Sequence, residues 1–191
     1  MTTPTPMTFA TADAWEAWLG QHHTTAAEAW IAFPTRDTDT PSVTRREAWE
    51  VALCYGWIDG QALSRTLPAG WWALRFTPRR PRSRWSKVNC RKVEHLIAAG
   101  RMRPAGLGEV ERARQDGRWA DAYDPPSTAT IPPDLERALT DALGGVDPFT
   151  ALDARRRYHA LNHIAAARRP DTRARRVAAA VALAANPNDH H

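Results

Sequence analysis

The segment DPPSTATIPP, residues 124–133, holds four prolines in ten positions. Proline has no N–H to donate and restricts both its own φ and the residue before it, so no helix or central strand runs through such a stretch. The break separates two kinds of sequence. Before it, short aromatic runs with alternating polarity mingle with amphipathic helical stretches; after it, everything reads as helix. The expected fold class is therefore α+β, predominantly helical, with a small antiparallel sheet and a helical C-terminal part. Residues 9–124 are the expected main part, and residues 131–185 a helical part packed on it. A chain of 191 residues can bury a core without a disulfide or zinc staple.

Local signals fill in the elements. Trp15, Trp18, Leu19 and His22 recur at helical spacing behind a Thr11 cap. Residues 28–35, EAWIAFPT, read as a strand followed by a polar loop. Thr44 and Glu47 form a T-x-x-E capping box, with Val43 placed to staple onto Ala48, and the helix they open should stop at Gly56. Residues 62–67 and 71–76 read as a hairpin around a Pro-Ala-Gly turn. The period of two puts Trp72, Leu74 and Phe76 on one face and Trp71, Ala73 and Arg75 on the other. Helices are expected from Ser86 to Ala99, ended by Gly100, and from Pro104, with Leu107 and Val110 inward and Gly117 as its stop. Past the break, one helix spans Pro133 to Leu143. A second opens at Pro148 and Asp153 and turns Leu152, Tyr158, Leu161 and Ile164 inward, and a third is capped by Asp171 and reaches Ala185. Residues 1–8 and the final NPNDHH are expected to be loose ends.

Charge is concentrated in two places. Residues 75–92 carry eight Lys or Arg and no acid, and residues 155–176 carry eight Arg and one Asp, on a chain whose net charge is only +5. The rest is therefore acidic, and the basic segments read either as an anion-facing surface or as solvated arginine. No apolar run is long enough to span a bilayer, and the first residues lack a basic n-region and apolar h-region, so no membrane insertion and a cytoplasmic setting are expected. Cys54 and Cys90 stand far apart and outside any CxxC, and are expected as free, buried thiols. His159 and His163 have i,i+4 spacing but no third ligand in sight, so no metal is expected. No phosphate loop or dinucleotide fingerprint is present, and no cofactor is expected.

Three constellations could carry chemistry. Asp59, in the GWIDG stretch beside Trp57 and Tyr55, is a candidate general acid or base if desolvated there; equally, it can cap the local backbone or pair with an arginine. The loop TPRRPRSRWSKVN offers Arg79, Arg80 and Lys87, with Arg75 just upstream and Trp85 within it, as an anion clamp leading into a helix N-terminus. Ion pairs to acids elsewhere, with Trp85 in the core, would use the same residues structurally. In GRWADAYD, Trp119 and Tyr123 can form an aromatic cleft wall or pack in the core.

CYGWIDGQ (54–61), RFTPRRPRSRWSKVN (75–89), LIAAGRMRPAG (96–106), DGRWADAYD (116–124) and RRPDTRARRV (168–177) occur in order. Together they resemble the bacterial YdeI/OmpD-associated family, also described as bacteriocin-protection proteins, over roughly residues 9–185. The resemblance implies a role in envelope stress and in tolerance of antimicrobial peptides or bacteriocins, with an envelope-stress protein as a partner; it carries no agreed catalytic set. The leading expectation is a cytoplasmic protein that binds a small or peptide-borne anion. Arg75, Arg79, Arg80 and Lys87 would hold the anion, with Trp57, Trp85, Trp119 and Tyr123 as walls. One alternative is a cofactor-independent enzyme of secondary metabolism or resistance using Asp59. Another is nucleic-acid binding, prompted by a pI near 9.9 but lacking any helix-turn-helix or RNP signature.

Overall fold

The computed structural model describes residues 5–35, 40–63 and 67–186, and the chain divides into two compact units, residues 1–122 and 123–191. Part of the expected 35–42 loop, the end of the expected first hairpin strand at 64–66, and the extreme termini lie outside the described residues. The α+β class holds, with a three-stranded antiparallel sheet and helices throughout. No helix among the described residues is long and apolar enough to cross a membrane.

The first unit runs α1 (Ala12–His22), β1 (Ala29–Pro34), α2 (Arg45–Cys54), β2 (Trp57–Leu63), β3 (Trp71–Pro78), α3 (Lys87–Ala98) and α4 (Pro104–Gln115). Thr11, Thr44 and Ser86 each accept a hydrogen bond from the backbone N–H three residues on, and Thr44 with Glu47 completes the capping box. The sheet order is β1-β3-β2, with Ala29 opposite Phe76 and Trp57 opposite Pro78. β2 begins earlier than the sequence indicates. Gly56, at φ +74, makes the whole reversal after α2, so GWIDG is not a turn but a strand start. A bulge between Asp59 and Ala62 then absorbs one extra residue.

Residues 5–8 are not a loose tail. The edge of β1 offers backbone partners, and Met7 takes them: its N–H donates to the Trp30 carbonyl and its own carbonyl accepts from Ala32, both at 2.8 Å.

The core under the sheet is aromatic. Trp15 is fully buried, donates its indole N–H to the Ala48 carbonyl at 3.0 Å, and lies within ring contact of Phe9, Trp18, Trp57 and Phe76. Trp18 is only half-buried, so α1 buries one indole completely rather than two. Leu74 and Phe76 face this core with Trp72 against it, as the strand period requires, though Ala73 on the other face is buried too.

A second core lies among α2, α3 and α4. Glu50, on α2, receives Arg46, Lys92 and Arg101, tying α2 to α3 and to the segment beyond it. Gly106, Val110 and Ala113 form the buried face of α4, while Leu107 is 43% exposed, contrary to the sequence reading. The reason is steric. A Cβ on Gly106 would stand 2.2 Å from the Cys54 carbonyl oxygen, so α4 meets the end of α2 backbone to backbone with its glycine face, which turns Leu107 away.

The second unit contains α5 (Pro133–Leu143), α6 (Asp147–Thr150), α7 (Ala154–Ala165) and α8 (Pro170–Ala185). Leu135, Leu139, Phe149, Leu161 and Ile164 fill its core, with Tyr158 only half-buried. Two boundaries differ from expectation. Asp153 accepts from the Arg156 N–H and so starts α7 afresh, splitting the expected second helix in two. α8 opens on Pro170, with Asp171 inside its first turn rather than at the cap.

Gly106→Ala and Gly108→Ala, two residues apart, should have opposite effects in urea denaturation. The first meets backbone and should cost about 1–3 kcal/mol or more. The second meets only the flexible end of Arg112, at 3.5 Å, and should gain about 0.5–1 kcal/mol from helix propensity.

Burial would raise the Glu50 carboxyl, but hydrogen bonds from Lys92, Arg46 and Arg101 outweigh it and hold the group below 4.5. Its contribution is therefore full at neutral pH and is lost as pH falls through that lowered value. Glu50→Gln should cost about 1–2 kcal/mol at pH 7, and the gap from the unaltered protein should close in acid unfolding series below pH 4.5.

Candidate functional site

The junction of α2, β2 and α4 forms a cleft. The Arg103 N–H donates to the Cys54 carbonyl at 3.0 Å, so the chain entering α4 satisfies a carbonyl that the end of α2 leaves open. Two residues on, the Gly56 carbonyl accepts from the Arg79 N–H at 3.0 Å. Around these ties lies a space of about 250 Å³. Tyr55, Gly56 and Trp57 form one wall, and Pro104, Ala105, Gly108, Glu109 and Arg112 of α4 the other. His23 and Thr24, just past α1, and Pro78, at the end of β3, complete the lining. A neighbouring depression of about 590 Å³, bordered by Pro81, Gln115 and Asp116, shares Glu109 and Arg112 with it.

Polar groups in the cleft are held from behind. Trp57 is buried and donates its indole N–H to the His23 carbonyl at 3.3 Å. The His23 Nδ1 lies 2.9 Å from the Leu19 carbonyl. A carbonyl only accepts, so Nδ1 carries the proton and Nε2 of the neutral ring is an acceptor. The same ring tilts against Tyr55 at 5.2 Å. Arg103 is fixed by Glu16, which accepts from two of its guanidinium nitrogens. On α4, Glu109 Oε1 accepts from Arg112, while Glu109 Oε2 is covered and accepts no hydrogen bond. α4 itself begins without a side-chain cap.

Of the residues singled out from sequence, only Trp57 lines this cleft. Asp59 sits half-buried in β2 with its carboxylate 3.8 Å from Arg45, and it is not among the residues lining the cleft. Arg75 is paired with Glu28, which also accepts from the Trp30 indole; those two hydrogen bonds hold the Glu28 carboxyl below its ordinary value. Arg79 is buried. Its guanidinium lies 3.6 Å over the Trp85 ring and donates to the Arg84 carbonyl. Trp85, itself buried, packs tilted on Trp119 at 4.9 Å between centroids, and Arg114 lies over the Trp119 ring at 5.1 Å. The result is a run of Arg-Trp-Trp-Arg contacts inside the first unit. Arg118, also buried, is paired with Asp116 and donates to the Ser83 carbonyl. The arginine loop is thus stitched from within, with Arg80 and Lys87 exposed on it. Tyr123 belongs to the second unit and is half-buried.

Sequence reasoning missed His23, Glu109 and Arg112 as cleft residues. A signal existed: Gly106, inside a helix, marks a face that another backbone approaches closely, and Glu109 lies one turn along from it.

The second basic segment is also largely committed. Arg157 donates to the Thr150 and Leu152 carbonyls, Arg176 to the His163 carbonyl, and Arg173 grips Asp134 with two nitrogens. His159 and His163 have ring centroids 5.9 Å apart; burial, then Arg176 and His159, push the His163 imidazole down. No cluster of three or more metal-ligating side chains occurs among the described residues.

Cys54 and Cys90 are buried, and burial pushes both thiols up to about 11. Neither is poised as a nucleophile. With Ellman's reagent at pH 8, the folded protein should show no rapid phase and the urea-unfolded protein two rapid equivalents. Rapid labelling of either thiol in the fold would contradict this.

Comparison with known families divides the chain in the same way as its structure. Residues 7–109, just over half of it, match the family described as a domain of unknown function, DUF8412. Residues 128–186 match the family described as bacteriocin-protection, YdeI or OmpD-associated. Three of the blocks that carried the sequence resemblance fall in the first match, the last falls in the second, and DGRWADAYD lies between them. Neither a curated protein nor a solved structure matches. The chain belongs to the DUF8412 family through its first unit and carries a YdeI/OmpD-associated, bacteriocin-protection domain in its second.

Proposed function

We propose that this is a cytoplasmic protein of stress or antimicrobial protection that binds a small or peptide-borne anionic ligand in the cleft along α4, with an envelope-stress protein as partner. One arrangement carries the reading: an uncapped helix start and an arginine face an aromatic wall across a space of about 250 Å³. The first N–H groups of α4 carry partial positive charge and favour an anion. Arg112, with its side chain 58% exposed, can offer a planar fork to a carboxylate or phosphate. Trp57, Tyr55 and His23 supply apolar surface opposite.

The alternatives find less support. An acid-base role for Asp59 is poorly served by a carboxylate already beside Arg45 and not part of the cleft lining. Nucleic-acid binding loses much of its basis when Arg79, Arg118, Arg157, Arg173 and Arg176 serve internal contacts.

Calorimetric titration with small carboxylates, phosphate esters and short acidic peptides is expected to give saturable binding with a change in tryptophan emission. Arg112→Ala should weaken it about tenfold or more. Gly108→Leu, whose side chain would enter the cleft from a position where a Cβ meets only the flexible end of Arg112, should abolish it. A panel without any binder, or a Gly108→Leu protein that binds as the unaltered one does, would overturn the reading.

A further inference from the structure

We infer that the ligand of the α4 cleft is a zwitterion of amino-acid or dipeptide size, its carboxylate taken by Arg112 and its ammonium by Glu109. This deepens the cleft reading above and rests on it.

Glu109 and Arg112 form an ion pair one turn apart on the cleft wall. The two partners are unequal: the Glu109 side chain is 15% exposed and Arg112 58%, so the arginine is the one able to swing toward a ligand. Arg112 is also the only cation paired with Glu109 among the described residues. An anion that draws Arg112 away would leave a mostly buried carboxylate with no counter-ion, a costly arrangement. A zwitterion avoids this. Inserted into the pair, it gives Arg112 a carboxylate and Glu109 an ammonium, and every charge keeps an opposite.

The rest of the lining is divided the same way. Acceptors are at hand for a donating ammonium: Glu109 Oε1 is released when Arg112 turns to the carboxylate, and the neutral His23 ring, with Nδ1 committed to the Leu19 carbonyl, has an accepting Nε2. Tyr55 and Trp57 border the same space, and aromatic rings attract a cation. For the carboxylate there are the Arg112 fork and the uncapped start of α4 at Pro104 and Ala105. The cleft, about 250 Å³, has room for a ligand of one or two residues, and Glu109 and Arg112 also border the neighbouring depression of about 590 Å³.

The test titrates the unaltered protein with the twenty amino acids and the dipeptides of glycine and alanine. Each is paired with its N-acetylated and C-amidated counterpart, and succinate is included as a plain dianion. At least one zwitterion should bind, with both of its blocked counterparts weaker by about tenfold or more. Glu109→Gln should close the gap to the N-acetylated form alone, and Arg112→Gln the gap to the amide alone. Succinate or an N-acetylated compound binding as tightly as any zwitterion overturns the inference while the anion reading stands. A panel in which nothing binds, anions included, overturns both. The selectivity is read in the unaltered protein, so the outcome does not depend on how the variants fold.

Discussion

The first unit depends on a contact in which side chains take almost no part. α4 lies so close to the last turn of α2 that a single added carbon on Gly106 would meet the Cys54 carbonyl group, and the Arg103 N–H closes a hydrogen bond to that same carbonyl. Gly56 completes the junction from the other side; a Cβ there would stand 2.8 Å from the Glu109 side chain. Such an approach fixes the distance between helices more tightly than interdigitating side chains can. It therefore sets the width of the cleft and the angle at which Glu109 and Arg112 face Tyr55 and Trp57.

Much of this fold was legible in local sequence, because caps and glycine stops act over three or four residues. Thr44 with Glu47, Ser86, and the glycines at 56, 100 and 117 all sit where the backbone needs them. Errors arose where a distant contact decided. Leu107 looks inward by period but is turned out by the Gly106 contact, and the start of β2 depends on Gly56 making the reversal alone. The cleft was harder still, since its lining comes from four stretches between residues 23 and 112 that only the folded chain assembles. Dense positive charge drew attention to Arg79 and its neighbours, and nothing local reveals that this guanidinium is buried against an indole.

The arginine bias of the chain has a structural use. Arg79, Arg118, Arg157 and Arg176 each donate to main-chain carbonyls in loops or at helix ends. A planar group with five N–H donors can tie a turn from inside and still stack on an indole, as Arg79 does on Trp85; an ammonium is a compact point charge and does neither as well. The tryptophans divide similarly: Trp15 and Trp85 are interior spacers, and Trp57 alone of the nine lies on the cleft.

The small sheet has a further property that follows from its two borders. On one side, Met7 occupies backbone groups of β1 that would otherwise be open; on the other, the bulge after Asp59 breaks the even spacing of β2. Straight, unoccupied borders are where strands of separate molecules join and where aggregation begins. A three-stranded sheet carrying this many aromatic side chains would be hazardous at high cellular concentration with such borders. Met7 lays a guard along one, and an extra residue in β2 kinks the other, so the sheet is poorly suited to growing beyond its own three strands.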